Sequence, residues 1–205
     1  MSVKVKICGL RTQESLDAAL EAGADYFGAR ALAAQGRGRA KSVALLVNPD
    51  DEAVKRVADE VAPDLIQLHG RETPERVREV KDLTGREIIK AIMVESAADA
   101  AAARDYDGAA DLILYDAKEP EDAIGALPGG NGVPFDWRAL MSVKGQGSFM
   151  LSGGLTSDNV ADAIAATGAA IVDVSSGVES APGEKDAELI ARFICAAKSQ
   201  DKFKS

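Results

Sequence analysis

Two side chains of opposite chemistry stand where short apolar runs end. Cys8 follows "VKVKI" and precedes Gly9, and Asp116 closes "LILYD". A thiol, with an ordinary pKa of about 8.5, becomes a useful base when its surroundings favour the anion. A carboxyl becomes a useful acid when its surroundings hold the proton. Together they make a candidate acid–base pair, in which one group needs a lowered pKa and the other a raised one. Plainer roles compete with this reading: Cys8 as a small buried hydrophobe, Asp116 as a loop carboxylate or helix cap.

Glycine and serine clusters point to a different task. "LSGGLTSDN" places Gly153 and Gly154 just before a helical pattern, and "DVSSGVES" places Ser175, Ser176 and Gly177 after the next apolar run. Backbone N–H groups at such turns and at helix starts bind phosphate. Few Lys or Arg lie in these stretches, so backbone donors and helix dipoles are expected to do much of the binding. Either cluster alone also fits a tight turn. A third glycine-rich stretch, "LPGGNGVPFDW", carries Gly130, Asn131 and Gly132; it reads as a flexible loop or a lid whose backbone approaches a ligand. His69, the only histidine, sits in "QLHG" and reads as a structural hydrogen-bonder or a substrate neighbour. No spacing of His, Cys and carboxylates supports a metal site, so no metal is expected. Cys195, on the apolar face of the last helical segment, reads as core.

Composition narrows the class. The 205 residues are 46% apolar and 28% charged, with a net charge of -9 that argues against nucleic-acid binding. The basic run "RGRAK", Arg37 to Lys41, reads as a helix end and loop. Two distant cysteines are no disulfide framework and suit a reducing compartment. The N-terminus lacks the apolar core of a signal peptide, and no run of about 20 apolar residues is long enough for a membrane span. A cytoplasmic protein with no membrane partner is the expectation.

The elements that must position these residues repeat along the chain. Eight short runs read as strands: "VKVKI", "DYFG", "SVALLV", "DLIQL", "EIIKAIMV", "DLILY", "SFMLS" and "AIVDVS". Amphipathic segments lie between most of them, several opening on Ser, Thr or Asp and several closing on Gly. Runs apolar on both faces suit parallel strands buried on both sides. Eight such units close most simply into a (β/α)8 TIM barrel, read as one domain over residues 1–205. The alternative, a doubly wound open sheet, would usually carry a glycine fingerprint that "CGLRTQES" does not match.

The segments "KICGL", "LIQLHG", "YDAK", "LPGGNGVPFDW", "LSGGL" and "VDVSSGVESAPGEKD", in this order, resemble the phosphoribosylanthranilate isomerase family. The resemblance implies an isomerase of tryptophan biosynthesis that performs an Amadori rearrangement on N-(5-phosphoribosyl)anthranilate. It implies Asp116 as general acid and Cys8 as general base. Gly153, Gly154, Ser175, Ser176 and Gly177 would hold the phosphate, and Asp173 would touch the sugar or the amine. Internal proton transfer needs no cofactor, and none is expected. The expected partner is a phosphorylated small molecule, and a monomer is the expected state. A related barrel isomerase of the histidine pathway would be expected to use paired aspartates, which Cys8 argues against.

One stretch does not fit. In "GADYFGARALAAQG" a strand runs into an alanine-rich, helix-like segment with almost no room for a loop. The 17 residues from Asp25 to Lys41 must hold a strand of about 5 residues, a helix of about 11 and their connections. By the resemblance, the end of the second strand and its loop are absent between Gly28 and Ala29. With them goes an arginine expected to pair with the anthranilate carboxylate, a role Arg30 on a helix cannot be assumed to fill. Loss of part of an inner strand is expected to damage barrel closure, and a non-catalytic phosphate-binding barrel is then the alternative function. The expectation is therefore that the segment exists in the protein outside these 205 residues. Intact mass tests this: a value above 21.4 kDa is expected, and a match to 21.4 kDa makes the gap covalent.

Overall fold

Eight parallel strands pair in chain order and close on themselves in the computed structural model, which describes residues 2–29, 31–117, 136–145 and 147–199. They are β1 (Lys4–Ile7), β2 (Tyr26–Gly28), β3 (Lys41–Leu46), β4 (Leu65–Leu68), β5 (Glu87–Val94), β6 (Leu112–Ala117), β7 (Met150–Leu151) and β8 (Ile171–Val174). The seam joins β8 to β1, with Lys6 opposite Asp173. All eight expected strands are present, and the (β/α)8 barrel is the fold.

Among the described residues, six α-helices cover the sheet: α1 (Gln13–Glu21), α2 (Asp51–Arg56), α3 (Pro74–Thr84), α4 (Ala97–Ala101), α5 (Val160–Thr167) and α6 (Ala187–Ser199). Their ends follow the local sequence. Thr12, Asp50, Thr73 and Ser96 accept backbone N–H groups at N-caps, and Gly85 and Gly168 end α3 and α5 in the left-handed conformation. A hairpin outside the barrel, β9 (Glu179–Ala181) and β10 (Glu184–Lys185), sits between β8 and α6. Among the described residues, no helix is long and apolar enough to cross a membrane. Cys195 corrects an expectation: it is exposed on α6, where Phe193, Ile194 and Ala197 form the buried face.

The barrel interior is layered. Tyr26, Val43, Leu65, Ile89, Ala91, Leu114, Met150 and Ile171 pack as an apolar floor. Side chains alternate along a strand, so positions two residues further on point to the same interior. There the pattern turns polar: Lys6, Gln67, Asp116, Ser152 and Asp173 are all buried. The polar layer lies toward the strands' C-terminal ends, the end at which barrels of this type gather chemistry.

The second unit departs from the expected plan. Residues 31–40 form successive bends and turns, with hydrogen bonds from Gln35 N to Leu32 O and from Arg39 N to Gly36 O, both 3.1 Å, in place of the expected alanine-rich helix. The expected damage to closure does not occur. Three residues suffice for β2 to pair with Lys6 and Ile7 on one side and with Lys41, Ser42 and Val43 on the other. The outward Phe27 still needs cover, and the turns supply it: Ala29 and Ala33 are buried in the same cluster, and Leu32 packs against it. Gly36 lies directly over the Phe27 ring, so close that a Cβ there would run into it. Gly36→Val therefore overpacks this contact and is expected to cost about 1–3 kcal/mol. Urea unfolding checks it, and an unchanged midpoint would refute the role of this contact.

Candidate active site

Cys8 follows β1 on the same side as Lys6, two residues earlier. The Lys6 ammonium is fully buried, 2.9 Å from Asp173 Oδ1 across the seam. Burial opposes its charge, but Asp173 and the Cys8 sulfur together hold its pKa above the ordinary value. For Cys8 the balance runs the other way. Burial pushes the thiol up; Lys6 pulls it down, Asp173 adds to the rise, and Lys185 pulls down more weakly. The expected tuning of this thiol toward neutrality is thus corrected. Withdrawal from water outweighs two nearby ammonium groups, and the free protein keeps the proton on sulfur at neutral pH.

Lys185 reaches the site from the β9–β10 hairpin. Its side chain is 2% exposed, and Nζ donates to Ser175 O at 3.0 Å, to Ser175 Oγ at 3.2 Å and to Glu179 Oε1 at 2.5 Å. A Cβ on Gly9 would lie 3.4 Å from that Nζ, so the residue after Cys8 packs against the lysine. Reading strand ends alone misses Lys185, because it comes from a hairpin outside the barrel. Lys6 and Gln67 were missed for a different reason. Each is a polar residue two positions before a singled-out one, and that spacing is the signal that would have found them.

Asp116 stands on β6, three strands from β1 by way of β7 and β8. Its Oδ1 accepts from Ala117 N at 2.9 Å, and its Oδ2 lies 3.4 Å from His69 Nε2. His69 thus belongs with the carboxyl. Gln67 Nε2 lies 2.9 Å from His69 Nδ1 below it. The loop that begins with His69 is pinned from outside the barrel by the buried Lys90, which donates to Gly70 O at 2.8 Å and to Glu72 Oε2 at 2.9 Å. Burial works against the Glu72 charge, but Lys90 and backbone N–H groups outweigh it and hold that carboxyl below its usual pKa.

The two small-residue loops meet at adjacent strands. Gly153 and Gly154 follow β7 at φ +88° and +63°, and Ser176 and Gly177 open a three-residue 3-10 turn after β8. A Cβ on Gly153 would lie 2.6 Å from Ala117 N, and one on Gly177 would strike the Leu155 carbonyl, so both loops interlock only with glycine. The N–H groups of Gly153, Gly154, Ser176 and Gly177 find no acceptor among the described residues. Unpaired backbone donors on neighbouring loops suit an anion. Gly130, Asn131, Gly132 and Arg30 lie outside the described residues.

Removing Lys6 leaves Asp173 as a buried, unpaired carboxylate. Lys6→Met is expected to cost about 3–5 kcal/mol, with Lys6→Met/Asp173→Asn recovering much of the loss. Thermal and urea unfolding of both variants check this. In Lys6→Met the Cys8 thiol should titrate higher still, seen as alkylation by iodoacetamide that needs a higher pH.

Comparison with known proteins places this arrangement. The family model described as N-(5'phosphoribosyl)anthranilate (PRA) isomerase matches residues 5–196. The N-(5'-phosphoribosyl)anthranilate isomerase of Rhodopseudomonas palustris (strain HaA2) is 48% identical over 216 aligned positions, covering 98% of each chain. That alignment is longer than the 205 residues here, so the relative has positions with no counterpart in this chain. The crystal structure of phosphoribosyl anthranilate isomerase from Thermotoga maritima superposes with a TM-score of 0.84 at 33% identity, covering 96% of this chain and 99% of that one. A solved isomerase in complex with reduced 1-(o-carboxyphenylamino)-1-deoxyribulose 5-phosphate superposes at 0.82 with 31% identity, over 96% and 99%. The chain belongs to the phosphoribosylanthranilate isomerase family.

Proposed function

We propose that this chain, as one barrel domain, converts N-(5'-phosphoribosyl)anthranilate to 1-(2-carboxyphenylamino)-1-deoxyribulose 5-phosphate in tryptophan biosynthesis. Its partner is a phosphorylated small molecule, and it acts as a cytoplasmic monomer. The observation that carries the assignment of roles is that Cys8 directly follows β1 and Asp116 stands on β6, with the glycine loops of β7 and β8 between them.

Asp116 protonates the ribose ring oxygen, and the C1–O bond breaks with its electron pair going to that oxygen. The anthranilate nitrogen supplies electrons to C1, and the ring opens to an iminium. Cys8 then removes the C2 proton to give an enolamine, which takes up a proton at C1, releases the one on the C2 hydroxyl and becomes the 1-deoxyribulose ketone. No proton or electron is gained overall. The raised Cys8 pKa suits this order of events. The thiol keeps its proton beside the uncharged glycosylamine, and the cationic iminium that forms next to it favours loss of that proton to water, leaving the thiolate just when a base is needed. The N–H groups of Gly153, Gly154, Ser176 and Gly177, with Ser175, hold the phosphate. Asp173 stays paired with Lys6 and acts at the sugar only through that pair.

Cys8→Ala and Asp116→Asn are each expected to lower kcat by about 10²- to 10⁴-fold. Product fluorescence in steady-state assays measures this, and wild-type turnover in either variant removes that residue from its role. Since Cys8 acts as thiolate, kcat/KM should rise with pH until the raised thiol pKa is passed.

A further inference from the structure

Two buried polar atoms in the site lack partners among the described residues: Gln67 Oε1 and His69 Nε2. They belong to one chain of contacts. Gln67, 1% exposed, sets Nε2 at 2.9 Å from His69 Nδ1; His69, 5% exposed, sets Nε2 at 3.4 Å from Asp116 Oδ2. A neutral imidazole has one donor and one acceptor nitrogen, so a choice at one end dictates the other.

For a neutral ring, two self-consistent arrangements exist. In one, the Gln67 amide N–H donates to Nδ1, the ring proton sits on Nε2, and that N–H faces the Asp116 carboxyl. In the other, the amide oxygen accepts from Nδ1–H, and a protonated Asp116 donates to the bare Nε2. The second spends the carboxyl proton on the ring and leaves none for a substrate oxygen. The first leaves that proton free and aims a donor at the oxygen that becomes anionic when the proton departs. The structure has the amide nitrogen toward Nδ1, which is the first arrangement.

We propose that Gln67 is a positioning residue for the acid step: it fixes His69 as the Nε2–H tautomer, whose N–H stabilises the Asp116 carboxylate formed on proton transfer. The proposal rests on Asp116 as the acid. At 3.4 Å the His69–Asp116 contact is longer than a made hydrogen bond. It shortens as charge develops on the carboxylate, so it contributes more after proton transfer than before, as a catalytic interaction must. The backbone keeps the ring in place meanwhile: His69 N donates to Leu46 O at 2.9 Å, and Lys90 grips the carbonyl of Gly70.

The chain has one histidine, so its ring nitrogens give the only imidazole signals in the full-length protein. Long-range ¹H–¹⁵N correlation on histidine-labelled protein is expected to show Nδ1 as pyridine-type and Nε2 as pyrrole-type. Gln67→Glu, whose carboxylate only accepts, is expected to move the proton to Nδ1. Gln67→Leu is expected to release the tautomer preference and lower kcat by about 10- to 100-fold with KM nearly unchanged. A wild-type ring protonated on Nδ1 overturns the proposal, and this reading holds even if the variants do not fold. A Gln67→Leu kcat within twofold of wild type also overturns it, as does a fall in kcat with the tautomer unchanged, which marks a packing role. Wild-type turnover in Asp116→Asn refutes the acid assignment instead and leaves the tautomer measurement standing, so the two failures are distinguishable.

Discussion

Closing the barrel brings β8 against β1, and at that seam an ammonium and a carboxylate meet out of water. Lys6 and Asp173 face each other at 2.9 Å on paired positions, both inside the sheet. Either charge buried alone would cost several kcal/mol, so the pair constrains the register of the last strand on the first. A slip of one residue would turn Asp173 out of the interior and strand Lys6. Cys8 lies two residues beyond Lys6, and Ser175 two beyond Asp173. The same register therefore sets which loop stands beside the thiol. The pair also shapes the electrostatics of that thiol, since its two members act on Cys8 in opposite directions.

The second unit shows how unequally the sheet and the outer layer contribute to closure. The sheet requires continuous backbone pairing, and β2 provides it with three residues. The outer layer requires only that apolar side chains be covered. Over Phe27, the turns of residues 31–40 do this without a helix, at the cost of a position where only glycine fits. The barrel mouth is thus assembled from loops of very different length on a sheet that stays closed. This separation of scaffold from loops lets one fold absorb changes around its site.

Polar groups in the mouth are handled in two ways. Those away from the reacting centre are fully satisfied: Lys90, Glu72 and Gly70 bond one another, and Tyr106 donates to the Glu72 carbonyl at 2.8 Å. Those facing the centre keep unused capacity, in the N–H groups of the glycine loops, Gln67 Oε1 and His69 Nε2. Leaving a buried donor or acceptor unmet costs free energy that a bound ligand or a developing charge recovers. The satisfied groups hold the frame rigid, and the unmet ones lie at the proposed site.

Much of this was legible in the 205 residues. Eight apolar runs and their punctuation determined the barrel, and strand ends identified Cys8, Asp116, His69 and the glycine clusters, because alternation and turn chemistry are local properties of the chain. Tertiary structure alone decided that residues 31–40 are turns, since the helical pattern of their alanines lost to the need to cover Phe27. It placed Lys185 beside Cys8 through a hairpin that no strand-end reading reaches. It also decided the direction of the Cys8 pKa, which depends on how far the sulfur is withdrawn from water and on charges from β8 and the hairpin, more than 160 residues away. Periodicity is written residue by residue, but desolvation and cross-barrel charge exist only once distant strands have met.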